Sequence, residues 1–281
     1  MRMRLVIPGA FGLVLLAGCS SGPTATIGTG APVATATQSS SNTTTTTAVA
    51  SSSSSTSAPA VSSSSAKTFL DALQSRSSPD KMRRGLSSAA PASPAFVYLT
   101  HFANQVEADV DGGNGRRDGR VIASGGDSYK VCNDLYDDKA CADVAGFKVD
   151  ASGKVVDFTV NGEAIAPRLT TGNGQAVSAG DAKFTFLSAY SSVTSPGLTI
   201  VIKVETGKSL LNINTYSASY RGPDGKQRKA NEAGGPHTVD ANSNALIYVG
   251  VPEVKPGGKV TLEGCVEKGC AAQFKAVLQV G

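Results

Sequence analysis

The chain has 281 residues, of which 40% are hydrophobic and 6% aromatic, and it contains no tryptophan. Its 26 basic and 22 acidic residues give a formal net charge of +4, and two of the positive charges, Arg2 and Arg4, lie in a segment predicted to be removed. So small an excess of positive charge implies neither nucleic acid nor an acidic polymer as the partner, and we expect no binding to nucleic acid. The length suffices for one large domain or two medium-sized ones.

The N-terminus has the pattern of an export signal. Arg2 and Arg4 precede an almost wholly apolar run over residues 5–16, and the small residues Ala17 and Gly18 follow. This order predicts a signal peptide over residues 1–18. As a helix the apolar run would span roughly 18 Å, short of the roughly 30 Å hydrocarbon core of a bilayer, so no lasting membrane span is expected.

The residues "LAGC", which end at Cys19, resemble the lipobox of bacterial lipoproteins. The resemblance implies that the Cys19 thiol receives a diacylglyceryl group, that cleavage precedes it, and that the new amino terminus is acylated with a chain such as palmitate. Two or three acyl chains anchor a protein stably, which one chain does not. We therefore expect a lipid-anchored protein on the extracytoplasmic face of the cell membrane. The alternative is an ordinary signal peptide followed by a chance cysteine.

Residues 19–65 are predicted to be a disordered tether. From residue 20 to 65, 26 of 46 residues are serine or threonine, and none is charged. Such a segment buries too little apolar surface to offset the entropy lost on ordering. Its runs of serine and threonine are typical either of O-glycosylated stalks or of a bare spacer.

Residues 66–168 have helices first and strands afterwards. Phe69, Leu70 and Leu73 share one face of a helix predicted over residues 67–76, Ser78 and Pro79 begin a second helix, and a third is predicted over about residues 95–110. Four strands then follow, over residues 120–123, 128–132, 142–149 and 154–160. This order predicts an α+β module with an antiparallel sheet. With "GKVVDFTVNG" at its end, it resembles the cone-shaped domains related to nuclear transport factor 2.

Residues 169–281 alternate apolar and polar side chains with a period of two. Stretches such as "AKFTFLSAY", "LTIVIKV" and "ALIYVGV" are separated by turns rich in proline and glycine. Six or seven short strands without a helical pattern predict an all-β sandwich. The layout, with "PGGKVTLEG" before the last hairpin, resembles immunoglobulin-like domains of secreted actinobacterial proteins.

The remaining four cysteines form two local pairs, Cys132 with Cys141 and Cys265 with Cys270. An exported chain meets an oxidising environment, so disulfides are expected, and closeness in sequence favours local pairing among the three possible ones. A zinc site is the alternative. The chain offers no Cys-x2-Cys spacing and two histidines in all, so no metal is expected at these cysteines.

Few other residues carry a chemical signal. The acidic stretch that begins at Glu107 starts like a calcium loop but has Gly113 and Arg120 where ligands are needed. Acidic residues between Cys132 and Cys141 could bridge a cation, and basic residues around a hairpin turn could contact anionic lipid; solvated loops are the simpler interpretation of both. The acidic residues are Asp134, Asp137 and Asp138, and the basic ones are Arg221, Lys226, Arg228 and Lys229.

The third predicted helix carries a candidate ligand pocket. Phe96, Tyr98 and His101 could line a cavity inside a cone-shaped domain, although packing on the helix surface or in the core is the simpler interpretation. With two histidines far apart and no cofactor fingerprint, we expect no enzyme and no cofactor. The leading hypothesis is non-enzymatic recognition of an envelope protein or polymer. Binding of a small apolar molecule or lipid is the alternative, and an envelope hydrolase is a distant third.

Replacement of Cys19 by serine tests the anchor. Because the thiol is the acyl acceptor in a lipobox, we expect Cys19→Ser protein to move from the detergent phase to the aqueous phase on phase partitioning. Serine at Cys141, a cysteine outside the motif, serves as the control and leaves partitioning unchanged. An unaltered partition of the Cys19→Ser protein would contradict the lipoprotein hypothesis.

Overall fold

A computed structural model describes residues 63–133, 141–267 and 269–281. Cys19, the predicted signal peptide and tether, and Asp134, Asp137 and Asp138 lie outside the described residues. The described residues belong to one compact unit, and they form three α-helices and seventeen β-strands. Every pairing between these strands is antiparallel. No helix within these ranges has the length and apolar character needed to cross a bilayer.

Two of the three helices begin at serine caps, as the sequence predicts. The helices are α1 (Ser63–Leu73), α2 (Pro79–Arg84) and α3 (Pro94–Asp111). The Ser78 and Ser93 side chains accept hydrogen bonds from backbone N–H groups of the first turns of α2 and α3. Helix α1 ends three residues earlier than predicted. The Ser75 hydroxyl donates to the carbonyl of Asp71, and serine competes in this way with the helix backbone.

The first sheet is a meander in chain order whose inner face packs on the helices. The Asp150 carboxylate accepts N–H groups of Ser152 and Lys154 and so closes the turn predicted between the third and fourth strands. The shared core contains Phe69, Leu99 and Phe158, each almost fully buried. The strands are β1 (Arg120–Gly125), β2 (Ser128–Cys132), β3 (Cys141–Val149), β4 (Val155–Val160) and β5 (Glu163–Ala164).

The rest of the described chain forms two six-stranded sheets over one apolar core, the arrangement of a sandwich. The second sheet has the order β13-β15-β9-β8-β6 with β7 paired to β8, and the third has the order β12-β11-β16-β10-β14 with β17 paired to β16. The strands are β6 (Leu169–Thr171), β7 (Ala176–Ala179), β8 (Ala182–Ser191), β9 (Gly197–Thr206), β10 (Leu211–Ile213), β11 (Ser219–Arg221), β12 (Gln227–Lys229), β13 (Glu232–Gly234), β14 (Thr238–Val239), β15 (Asn244–Pro252), β16 (Gly258–Val266) and β17 (Ala272–Val280).

This region has more strands than the six or seven predicted. The long strands show the predicted alternation, and their inward residues, such as Phe184, Ile202 and Leu262, are buried between the two sheets. Seven of these twelve strands have two to four residues each. A period of two is not recognisable over so short a stretch.

Helix α3 joins the two parts of the fold. One side of it packs into the core shared with the first sheet, and Ala108 on another side contacts Val201 and Tyr248 on the outer face of the second sheet. The chain passes from the first sheet to the second through a 3₁₀ turn at Ala166–Arg168, where the predicted domain boundary falls.

Disulfides join Cys132 to Cys141 and Cys265 to Cys270. Cys132 and Cys141 are directly opposite on β2 and β3, so this bridge links the end of one strand to the start of the next, as predicted. Cys265 lies on β16, and Cys270 lies in the loop that leads to β17. Both bridges therefore close hairpins and leave the separate parts of the fold unlinked.

Reduction of the disulfides should loosen these hairpins without unfolding the protein. The bridged cysteines are 9 and 5 positions apart, and loops this short restrict the unfolded chain by only about 2–3 kcal/mol each. We expect circular dichroism to show a folded protein with a lower denaturation midpoint after reduction. Complete unfolding by reductant, or a crossed link in non-reducing peptide maps, would contradict this account.

Candidate functional site

A cavity of about 230 Å³ lies where the end of α1, helix α3, the first sheet and the second sheet meet. Each element contributes to its wall because the two sheets lie on different sides of α3. The wall is apolar on the side of the first sheet and polar towards the second sheet. Its residues include Leu73, Val131, Val144, Phe158, Thr199 and Glu232.

Four aromatic rings line the cavity on its apolar side. The Tyr98 ring centroid lies 4.7 Å from that of Phe102, 5.2 Å from that of Phe158 and 5.1 Å from that of Tyr190. Burial, with the neighbouring Tyr190 hydroxyl as a further cause, raises the pKa of Tyr98 well above its ordinary value. Tyr98 is therefore neutral, and the rings offer an apolar surface with hydroxyl groups at its edge.

Arg76 brings a positive charge to the same cavity. Burial lowers the pKa of its guanidinium and the charge of Arg116 lowers it further, whereas the nearby carboxylates of Asp109 and Glu232 raise it. The charge of Arg76 opposes the effect of burial on the pKa of Tyr98. Arg76 therefore lies near the aromatic rings. Within the described part of the chain, the Arg76 side chain has neither a hydrogen bond nor an ion pair.

Arg116, by contrast, is fully engaged beside the cavity. Its guanidinium forms ion pairs with Asp109 and Glu232 and donates a hydrogen bond of 2.8 Å to the Tyr248 hydroxyl. The Tyr248 hydroxyl donates to Asp109 Oδ1 at 2.9 Å. Burial raises the pKa of Asp109 and that of Tyr248, against the opposing effect of the Arg116 charge. This group of four residues ties the end of α3 to β13 and β15.

A glycine is required at position 234 for this connection. A Cβ atom there would lie 2.2 Å from the Tyr248 ring and 2.7 Å from Asp109 Oδ1. Any side chain would therefore displace the ring or break the hydrogen bond between Tyr248 and Asp109.

His101 and Ser188 lie within hydrogen-bond distance of each other, as the base and nucleophile of a hydrolase would. His101 Nδ1 and Ser188 Oγ are 2.9 Å apart. The exposed fractions of the two residues are 0% and 6%, and burial lowers the pKa of His101 to about 3. A substrate cannot reach these atoms, and an imidazole with this pKa is a weak base. The pair therefore connects α3 to β8 as a structural contact.

Of the three predicted pocket residues, Tyr98 alone lines the cavity. Phe96 is half-buried against the core of the helices and first sheet, and His101 faces β8. Glu107 and Asp109 form ion pairs at the end of α3, and Arg228 pairs with Asp224 in the hairpin that follows β11. Within the described ranges no group of three acidic, histidine or cysteine residues is arranged to hold a metal ion.

Sequence reasoning missed Arg76, Arg116 and Tyr190. Arg76 was predicted as the last residue of a helix and Tyr190 as part of a strand. Their role depends largely on contacts between different elements, such as those of Tyr190 with Tyr98 and of Arg116 with Glu232 and Tyr248, for which a single sequence gives no signal.

No protein-family model and no curated protein matches this chain. A solved structure of a functionally unknown protein from Listeria monocytogenes EGD-e is similar to 40% of this chain and 85% of its own chain. The sequence identity is 10% and the TM-score is 0.28. The function is therefore argued from the residues of this chain.

The buried His101 should make stability depend on pH. Its pKa is about 3 in the folded protein and 6.5 in a model peptide, so only the unfolded chain takes up the proton between these values. Stability should fall as pH decreases, by about 2 kcal/mol between pH 7 and pH 5. Urea unfolding of wild type and His101→Asn measures this.

The exposed His237 provides the control. The His101→Asn protein should lose this part of the pH dependence, whereas the His237→Asn protein should retain it. The same loss in both variants, or in neither, would contradict the assignment to His101.

Proposed function

We propose that this protein is a lipid-anchored envelope protein whose folded part binds a small, partly apolar molecule in the cavity between the first and second sheets. The observation that carries the proposal is the composition of the cavity wall. Four aromatic rings stand beside the guanidinium group of Arg76, which forms no hydrogen bond or ion pair with any described residue. A concave surface on which aromatic rings and polar groups converge is typical of ligand sites.

The proposed location rests on the sequence of residues 1–19 and on the disulfides. The lipobox-like "LAGC" would place acyl chains on Cys19, with the chain outside the cytoplasmic membrane. Disulfides such as that between Cys132 and Cys141 persist in oxidising compartments. Residues 19–65 would then act as a spacer between the membrane and the folded part.

We also propose that the folded part combines a module of the nuclear-transport-factor-2 type with an immunoglobulin-like one. Support for the first comes from three helices that precede and cover a meander sheet. Support for the second comes from two antiparallel sheets over one core. The lining contributed by α3, β2, β3 and β4 would correspond to the interior of the cone.

Binding in the cavity is better supported than recognition of another envelope component. An open apolar face on one of the sheets of the sandwich would support recognition of a partner. The outer face of the second sheet is covered by α3. On the outer face of the third sheet, the outward residues of β16 and β17 are Lys259, Thr261, Glu263, Lys275, Val277 and Gln279, of which only Val277 is apolar.

We propose binding without catalysis. The nearest approach to a catalytic pair, His101 with Ser188, is buried away from the cavity, and the cavity wall carries no histidine or cysteine. The polar groups at the wall donate hydrogen bonds or bear charge, which suits orientation of a ligand.

Cavity-filling substitution tests the proposal. Ala142 on β3 lines the cavity, so Ala142→Phe should occupy the space that a ligand needs. With delipidated protein and the neutral fluorophore 1-aminoanthracene, we expect saturable binding of one equivalent to wild type. The Ala142→Phe protein should lose this binding by at least tenfold.

Ala145→Phe provides a matched control. Ala145 lies on the same strand, is also half-buried, and is absent from the cavity wall because neighbouring odd and even positions of a strand face opposite sides. It should bind the fluorophore like wild type. Equal binding by all three proteins, or none by wild type, would contradict the cavity as a binding site. Native mass spectrometry of wild type and Ala142→Phe then shows whether a small copurifying mass depends on the cavity.

A further inference from the structure

We propose that Arg76 makes this cavity selective for small monocarboxylates, whose carboxylate binds the guanidinium while the apolar body lies against the rings of Tyr98, Phe102, Phe158 and Tyr190. This inference rests on the proposed function, because it names the chemical class that the same cavity would bind. The wall residues, their charges and their partners carry it.

Arg76 differs from other half-buried arginines of the described chain in having no ion pair. Four other half-buried arginines each form an ion pair with a carboxylate: Arg83 with Glu107, Arg116 with Asp109, Arg168 with Glu163, and Arg228 with Asp224. Arg76 forms no such pair with any described residue, although it is withdrawn from solvent. A partly buried charge without an ion pair costs free energy; the carboxylates of Asp109 and Glu232 offset part of it from a distance, and an anion in the cavity would offset more.

The surroundings of Arg76 favour an external anion over an internal one. The nearby carboxylates Asp109 and Glu232 both pair with Arg116, and Asp109 also accepts the hydrogen bond from Tyr248. Both therefore have a nearer cation than Arg76. The planar guanidinium fork presents two parallel N–H groups, which match the two oxygens of a carboxylate.

Charge and volume restrict the ligand further. Arg76 is the lining arginine without an ion pair among the described residues, and Glu232 also lines the cavity, so the second negative charge of a phosphate monoester would have no cation to pair with and would face a carboxylate. The cavity volume of about 230 Å³ lies below the roughly 300–1,000 Å³ typical of sites for drug-sized ligands. The body of the ligand is therefore restricted to about the size of one to three fused rings or a short chain.

Two probes of nearly equal shape test the selectivity. On delipidated full-length mature protein, fluorescence titration compares anthracene-1-carboxylate with the neutral 1-aminoanthracene. We expect wild type to bind the carboxylate about 10–100 times more tightly, the range for one charge-assisted contact. Arg76→Gln should abolish this preference, measured as the ratio of the two affinities within the same variant. Arg84→Gln removes an exposed arginine of α2 and should leave both affinities unchanged.

The outcomes separate the inference from the proposed function. Wild type could bind 1-aminoanthracene in a way that Ala142→Phe abolishes and yet bind the carboxylate no better. This result would support the cavity as the binding site and would overturn the proposed selectivity for carboxylates. If Arg84→Gln lowers the preference as much as Arg76→Gln, net charge and not Arg76 attracts the anion, which also overturns the inference. If neither probe binds wild type, the proposed function fails as well. Tighter binding of anthracene-1-phosphate than of the carboxylate would overturn the choice of anion.

Discussion

Burial of helix α3 on more than one side is the constraint on which the rest of the structure depends. Half of its 18 residues are buried, more than the single apolar stripe of a surface helix requires. The first sheet covers one side, and the second sheet covers another. Because each sheet buries its own apolar face against the helix, the described residues form one compact unit even though the chain crosses between the sheets only once.

A helix enclosed in this way must provide partners for its polar side chains. His101 meets Ser188 and stays neutral, since desolvation depresses its pKa to about 3. Asp109 meets Tyr248 and Arg116 at the other end of the contact. Each connection joins the helix to the second sheet, and each is expensive to leave half-made because a buried polar group without its partner loses the hydration of the unfolded state.

The sequence predicts local structure well, but it predicts poorly the joint, by which we mean the contact between α3 and the second sheet. Ser78 and Ser93 mark the starts of α2 and α3 correctly, because a cap depends on residues three positions away. The pairing of Cys132 with Cys141 follows equally from closeness along the chain. Tyr98 was predicted as a pocket residue from its place on α3, but its neighbours at the cavity are Arg76 and Tyr190, which come from different elements. Their approach is set by how the second sheet packs on α3, and periodicity carries no information about it.

The same joint explains how a cavity persists in an otherwise well-packed protein. Aromatic rings of α3, β4 and β8 meet edge to face around Tyr98, and rigid rings packed at an angle do not collapse into the space between them. Arg116 secures the rim by contacting both Asp109 on α3 and Glu232 on β13. Arg76 lies close enough to these two carboxylates for their charges to raise its pKa, but it forms no ion pair with either. If the cavity binds an anion as proposed, the ligand would supply the ion pair that the wall of the cavity does not give Arg76.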